Sequence, residues 1–146
     1  MRGFSLQRFG PDGRLQVTLQ GKQLHHYPQN DRIEIEELHL TAEAPSGRPT
    51  LATARKAISN SKASEVQLMG GAQIRTRTAA GQPVEIDSEF LQLFTQSERV
   101  VTDKPVRARV GPNIMRAGGL VYDHKNAQLE LKPPVRAELQ PQSLPR

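Results

Sequence analysis

Four corner modules, written at nearly constant spacing, constrain this chain more than anything else in it. Ile33-Glu34-Ile35, Val66-Gln67-Leu68, Val100-Val101-Thr102 and Leu129-Glu130-Leu131 each open an extended segment. A spacer follows in each case: Glu36-Glu37, Met69-Gly70-Gly71, Asp103-Lys104-Pro105 and Lys132-Pro133-Pro134. A second alternating segment then resumes as Leu38-His39-Leu40, Ala72-Gln73-Ile74, Val106-Arg107-Ala108 and Val135-Arg136-Ala137. From Ile33 to Val66, Val100 and Leu129 the intervals are 33, 34 and 29 residues. Self-similarity at such a period marks stacked units that bury their apolar face only against neighbours. The alternation inside each unit has a period of two, which makes the units strands. The chain therefore reads as a wound all-β scaffold with one long apolar interior and two free edges.

The segments between the modules fit the same plan. Phe4 to Phe9 is strand-like and ends at the turn formers Gly10-Pro11-Asp12-Gly13. Leu15, Val17 and Leu19 alternate against Gln16, Thr18 and Gln20, and Gly21 admits a bend before Leu24 to Tyr27. Ile33 and Ile35 stand in one phase and Leu38 and Leu40 in the other, the change a bulge or sharp corner produces. Ala44 to Pro49 reads as a loop. Thr50 to Ser59 fits a strand, although Ala52, Ala54 and Ala57 also suit a helical turn. Val84 to Phe94 reads as the longest strand, and Ile114 to Tyr122 as a strand carrying Gly118-Gly119. Roughly a dozen strands with short turns and no long helix predict an antiparallel β-jelly roll.

Composition narrows the function classes. A chain of 146 residues fits one domain that buries roughly 70% of its unfolded surface. With 36% apolar residues, 4% aromatics and no Trp, the interior is either partly open to a ligand or that of an ordinary sandwich. The net charge is +5 and the pI about 10.0, but the 20 Lys and Arg are scattered singly, with no basic arm. Aromatic residues are not interleaved with basic ones as a single-strand nucleic-acid platform requires. Nucleic acid is therefore not an expected partner. There is no cysteine, which excludes disulfides, thiol catalysis and Cys-based metal sites. No apolar run approaches the ~20 residues of a membrane span.

No constellation for catalysis emerges. His25 and His26 are adjacent, so on a strand they face opposite ways; these and His39 and His124 read as structural or surface residues. Glu85, Asp87 and Glu89 alternate and make one outward face rather than a catalytic pair. Gly70-Gly71 and Gly118-Gly119 sit at strand corners, where backbone geometry explains them better than phosphate binding does. The expectation is no enzyme, no metal and no cofactor. Binding is left to the interior and the edges.

Several runs carry a family resemblance. Leu24-His25-His26-Tyr27-Pro28, Val66-Gln67-Leu68-Met69-Gly70-Gly71-Ala72-Gln73-Ile74, the corner Thr102-Asp103-Lys104-Pro105-Val106, Gly111, and Ala117-Gly118-Gly119-Leu120-Val121-Tyr122 resemble, in order and spacing, the LptC family of bacterial lipopolysaccharide export. The resemblance covers about Phe4 to Leu139. It implies a periplasmic β-jelly roll over residues 4–139, held at the periplasmic face of the inner membrane by an N-terminal helix. Residues 1–3 would then be a linker left after a removed anchor, and residues 140–146 a flexible tail. It further implies that the domain accepts lipopolysaccharide from the LptB-LptF-LptG transporter and passes it to the related bridge protein LptA.

Under that reading, acyl chains lie in the interior against Leu15, Val17, Leu19, Ile33, Ile35, Leu40, Leu68, Ile74, Ile86, Leu93, Val106, Ala108, Leu120 and Leu129. Plain core packing is the competing explanation for each of them. The N-terminal edge, with Phe4, Leu6 and Phe9, would pair with the periplasmic part of LptF/LptG. The C-terminal edge, with Val135, Ala137 and Leu139, would pair with LptA by strand addition. Two alternatives stand beside this: an edge-pairing scaffold with no lipid site of its own, and a basic nucleic-acid binder supported by the pI alone.

Overall fold

Hydrophobic alternation of period two runs almost the length of the chain, and the structure obeys it. The computed structural model describes residues 2–9, 15–43, 49–78, 80–126 and 128–138. Ten antiparallel strands form one sheet: β1 (Arg2–Phe9), β2 (Leu15–Tyr27), β3 (Arg32–Glu43), β4 (Pro49–Ser59), β5 (Glu65–Arg77), β6 (Pro83–Phe94), β7 (Arg99–Thr102), β8 (Val106–Val110), β9 (Asn113–Asp123) and β10 (Gln128–Glu138). A 3-10 turn, Pro28–Asn30, joins β2 to β3. Consecutive strands pair with one another except the short β7 and β8, which lie end to end between β6 and β9. This is the expected all-β, antiparallel, open jelly roll.

Among the described residues the strands number ten rather than about a dozen, because segments read as separate strands are two ends of one strand passing through a corner. Leu15–Leu19 and Leu24–Tyr27 are both β2, and Leu129–Leu131 and Val135–Glu138 are both β10. β2 and β5, each 13 residues, exceed the 12 of β6. Thr50 to Ser59 is strand, not helix, because its alanines alternate inward as Ala52, Ala54 and Ala57. β1 begins at Arg2, two residues earlier than read. Leu139, residues 140–146, Gly10 to Arg14 and most of the loop at Ala44 to Pro49 lie outside the described residues.

The corners align. Gln20 pairs with His39 and Gln23 with Glu36, so Gly21-Lys22 stands opposite Glu37-Leu38. Glu36 pairs with Lys56 and Leu38 with Ala54. The ladder shifts between Thr53 and Lys56 on β4 against Gly70-Gly71 on β5, which in turn faces Glu89 on β6. The row continues through Asp103–Pro105 and Gly118 to Pro133-Pro134, where β10 slips against β9. Each break sheds the ladder hydrogen bonds that keep a sheet flat, so a continuous line of breaks is a crease. The sheet folds along it, and one face of each half turns inward.

Left-handed backbone supplies the bend where extended residues cannot. Gly70 and Gly71 have φ of +76° and +77°, and Glu37 performs the same turn on β3 at φ +56°. Polar groups freed at the crease find partners: the buried Ser88 hydroxyl donates to the Pro105 carbonyl at 2.8 Å, and Lys104 N–H donates to Thr102 Oγ1 at 3.1 Å. Lys132 of β10 reaches across the crease to Asp103.

Gly118 makes the close approach at the last corner. A Cβ there would meet the Pro133 carbonyl oxygen and lie 3.0 Å from Pro134 Cδ. Gly118→Ala should therefore cost about 1–3 kcal/mol by overpacking, read as a lowered urea midpoint with loss of amide protection in β10.

The Asp103 carboxyl is held below the usual carboxylate range, chiefly by its hydrogen bond to Lys132 and then by that residue's charge. A lowered folded-state value contributes stability above the ordinary range that disappears as pH falls through the folded value, below about pH 4. In Lys132→Gln the Asp103 titration, followed by NMR, should move up toward an ordinary aspartate.

Candidate functional site

The folded sheet encloses one apolar face. Val17, Leu19, Ile33, Ile35, Leu40, Leu68, Ile74, Ile86, Leu93, Val106, Ala108 and Leu120, all predicted for the interior, are buried in a single cluster. Leu129 is partly buried against it, and the side chain of Leu15 lies outside the described residues. Leu38, Val66, Val84, Leu91 and Val100 share the cluster without having been singled out. Alternation on β6 carries the signal for Val84 and Leu91, once the phase is allowed to switch at Glu89.

Enclosure is uneven. In the centre Ile35, Leu68, Ile86 and Leu120 have no accessible surface. Toward β10 the same inward row opens: Leu129 and Leu131 are partly buried, while Val135 is 49% and Ala137 also exposed. Near β2 a recess of about 290 Å³ is lined by Val17, Leu19, Leu24 and Ile33, with His26 and Asn60 among its polar members. Between the halves lies a smaller cavity of about 30 Å³, room for roughly one water.

That small cavity carries a polar network the sequence did not reveal. His124, read as a structural or surface residue, is structural: it is buried just after β9, with its backbone N–H donating to the Glu98 carbonyl at 2.9 Å. The Tyr122 hydroxyl lies 2.9 Å from His124 Nδ1, and Thr76 Oγ1 lies 3.4 Å from Nε2. Thr76 also donates to the Pro49 carbonyl at 3.1 Å and accepts from the Thr50 hydroxyl at 3.3 Å. Since the single Thr76 proton goes to Pro49, Thr76 Oγ1 is left to accept from a ring proton on Nε2. Tyr122 and His124 belong to one half of the folded sheet, Thr50 and Thr76 to the other. The network clasps the halves together.

The edges are the second feature. Among the described residues β1 pairs only with β2, and β10 only with β9. Phe9 is exposed, as are Val135 and Ala137; the side chains of Phe4 and Leu6 lie outside the described residues. Among the described residues no three potential metal ligands converge, and no helix is long and apolar enough to cross a membrane.

The family described as "Lipopolysaccharide-assembly, LptC-related" matches residues 1–140. The chain belongs to that family. It thereby takes a part in lipopolysaccharide transport. In fold it is similar to the crystal structure of LptH, the LptA-homologous periplasmic component of the lipopolysaccharide transport device of Pseudomonas aeruginosa. The TM-score is 0.73 at 14% identity, covering 86% of this chain and 95% of that one. Curated protein sequences gave no match.

Removing the Tyr122 hydroxyl tests the clasp. Tyr122→Phe takes a hydrogen bond from a buried imidazole and should cost about 1–2 kcal/mol in chemical denaturation. Amide exchange should rise in the ends of β4, β5 and β9 before it rises in β2 and β3.

Proposed function

We propose that this domain carries lipopolysaccharide across the periplasm as a bridge anchored in the inner membrane by an N-terminal segment. It accepts the lipid from an LptB-LptF-LptG-type transporter and passes it to an LptA-type partner. Acyl chains are held against the enclosed apolar face while sugars and phosphates stay in water. The observation that carries the reading is the inward row that begins in a dry core at Leu68 and Leu120 and reaches solvent at Leu131 and Val135 beside an unpaired edge. A chain sliding along such a row gains about 0.8 kcal/mol for each buried methylene. It exchanges one apolar wall for another and crosses no polar barrier. The N-terminal edge β1 is assigned to the transporter side, and the C-terminal edge β10 to the bridge partner.

The closed centre favours a second reading. A cavity of about 30 Å³ holds no acyl chain, so occupancy of the centre requires the two halves to part. A scaffold that pairs edges without holding lipid would never need to part them.

Site-specific photo-crosslinking to lipopolysaccharide separates the two. Positions 131 and 68 point inward, and 130 and 67 on the same strands point outward as controls. Transport predicts adducts at 131 and 68 and none at 130 or 67. A folded domain with no inward adduct would leave the scaffold. Addition of the LptA-type partner should also slow amide exchange in β10.

A further inference from the structure

The outward face of the β6-β8-β9-β10 half carries a charge row that runs off the sheet. Asp87 pairs in register with Arg107, Arg107 with Arg116, and Arg116 with Arg136. Arg107 and Asp87 form an ion pair, with Arg107 Nη1 3.1 Å from Asp87 Oδ2. The last residue, Arg136, is exposed on β10, has Arg116 directly opposite on one side, and has the open edge on the other. Among the described residues no acid pairs with it. Like charges directly opposite across two strands are unfavourable, and opposite charges favourable, by about 0.2–1 kcal/mol.

We infer that β10 selects its strand partner by charge: the incoming strand carries Asp or Glu beside Arg136, flanked by apolar residues that continue the inward row of Val135 and Ala137. This rests on the edge reading proposed above and names the partner's chemistry. The chain contains its own precedent. On β6, Ile86-Asp87-Ser88 meets Val106-Arg107-Ala108 with the acid on the arginine and the two flanks turned inward. Val135-Arg136-Ala137 repeats the second of those triplets at the free edge. The other occupant a free edge invites is a second copy of this chain joined head to tail through β1. The β1 sequence, RGFSLQRF, holds two arginines and no acid. A self-made chain would set arginine near arginine, so the same row that attracts an acidic strand rejects this one.

The test uses the whole chain and the purified LptA-type protein of the same organism, with affinities measured at low and moderate salt. Arg136→Glu should weaken binding about tenfold. Arg136→Gln should weaken it less and flatten the salt dependence, while its melting curve stays that of the wild type. Exchanging the partner's facing acid for arginine should restore binding to Arg136→Glu. Wild-type binding that protects β10 amides but is unchanged in Arg136→Glu overturns the inference and leaves the edge reading standing. Absent binding, or binding without β10 protection, overturns both. Protection of β10 in the wild-type chain alone as concentration rises, with a doubling of sedimenting mass, would overturn the choice of occupant.

Discussion

Everything in this molecule depends on one line of broken ladder hydrogen bonds. A ten-stranded antiparallel sheet with alternating residues has one apolar face and no second layer to cover it. With few aromatics and, among the described residues, no α-helix, the chain covers that face with the sheet itself. The breaks at Glu37, Gly70-Gly71, Glu89, Asp103–Pro105, Gly118 and Pro133-Pro134 line up from β3 to β10, so these strands bend at one place. Were they scattered, each strand would bend where its neighbours stay straight, and the neighbouring ladders would be lost. The alignment turns many small local defects into one fold-wide crease, and enclosure follows from it.

The part of this legible in the sequence was the part written with strong punctuation. Gly70-Gly71, Asp103-Lys104-Pro105 and Pro133-Pro134 announce corners because glycine and proline restrict or release the backbone in recognisable ways. The returning strands bend too, but with Ala54-Arg55 and Glu89, whose side chains carry no such signal. Their corners are imposed by the neighbours' register, a tertiary effect that one strand read alone cannot display. For this reason the period was visible while the strand count was not. Glu37 in the left-handed region is the same case in a module that was recognised: the corner was clear, but the residue that makes it was not.

The apolar set was legible because burial in a sheet is a matter of phase. The phase reading named twelve residues that the fold gathers into one cluster. Phase says nothing about polar residues beyond the last turn of a strand, where His124 lies. Its burial comes from the opposite half of the sheet, which brings Thr76 to the imidazole from 48 residues away. A contact at that separation has no local sequence signature. The same limit applies to Arg136, whose meaning emerges only when four strands are laid in register.

An open edge is a hazard that most sheets blunt with proline, charge or brevity. β10 has two of these devices, Pro133-Pro134 and Arg136, and still presents exposed Val135 and Ala137 along the inward row. The combination protects selectively. Proline withholds N–H groups at the crease end, and the arginine discourages any strand that lacks an acid, yet the apolar row beyond stays available. If edge protection were the sole requirement, polar residues at 135 and 137 would serve it better and cost nothing in a core that ends at Leu131. Keeping them small and apolar continues the enclosed face to the last strand, where a neighbouring sheet of the same kind could extend it.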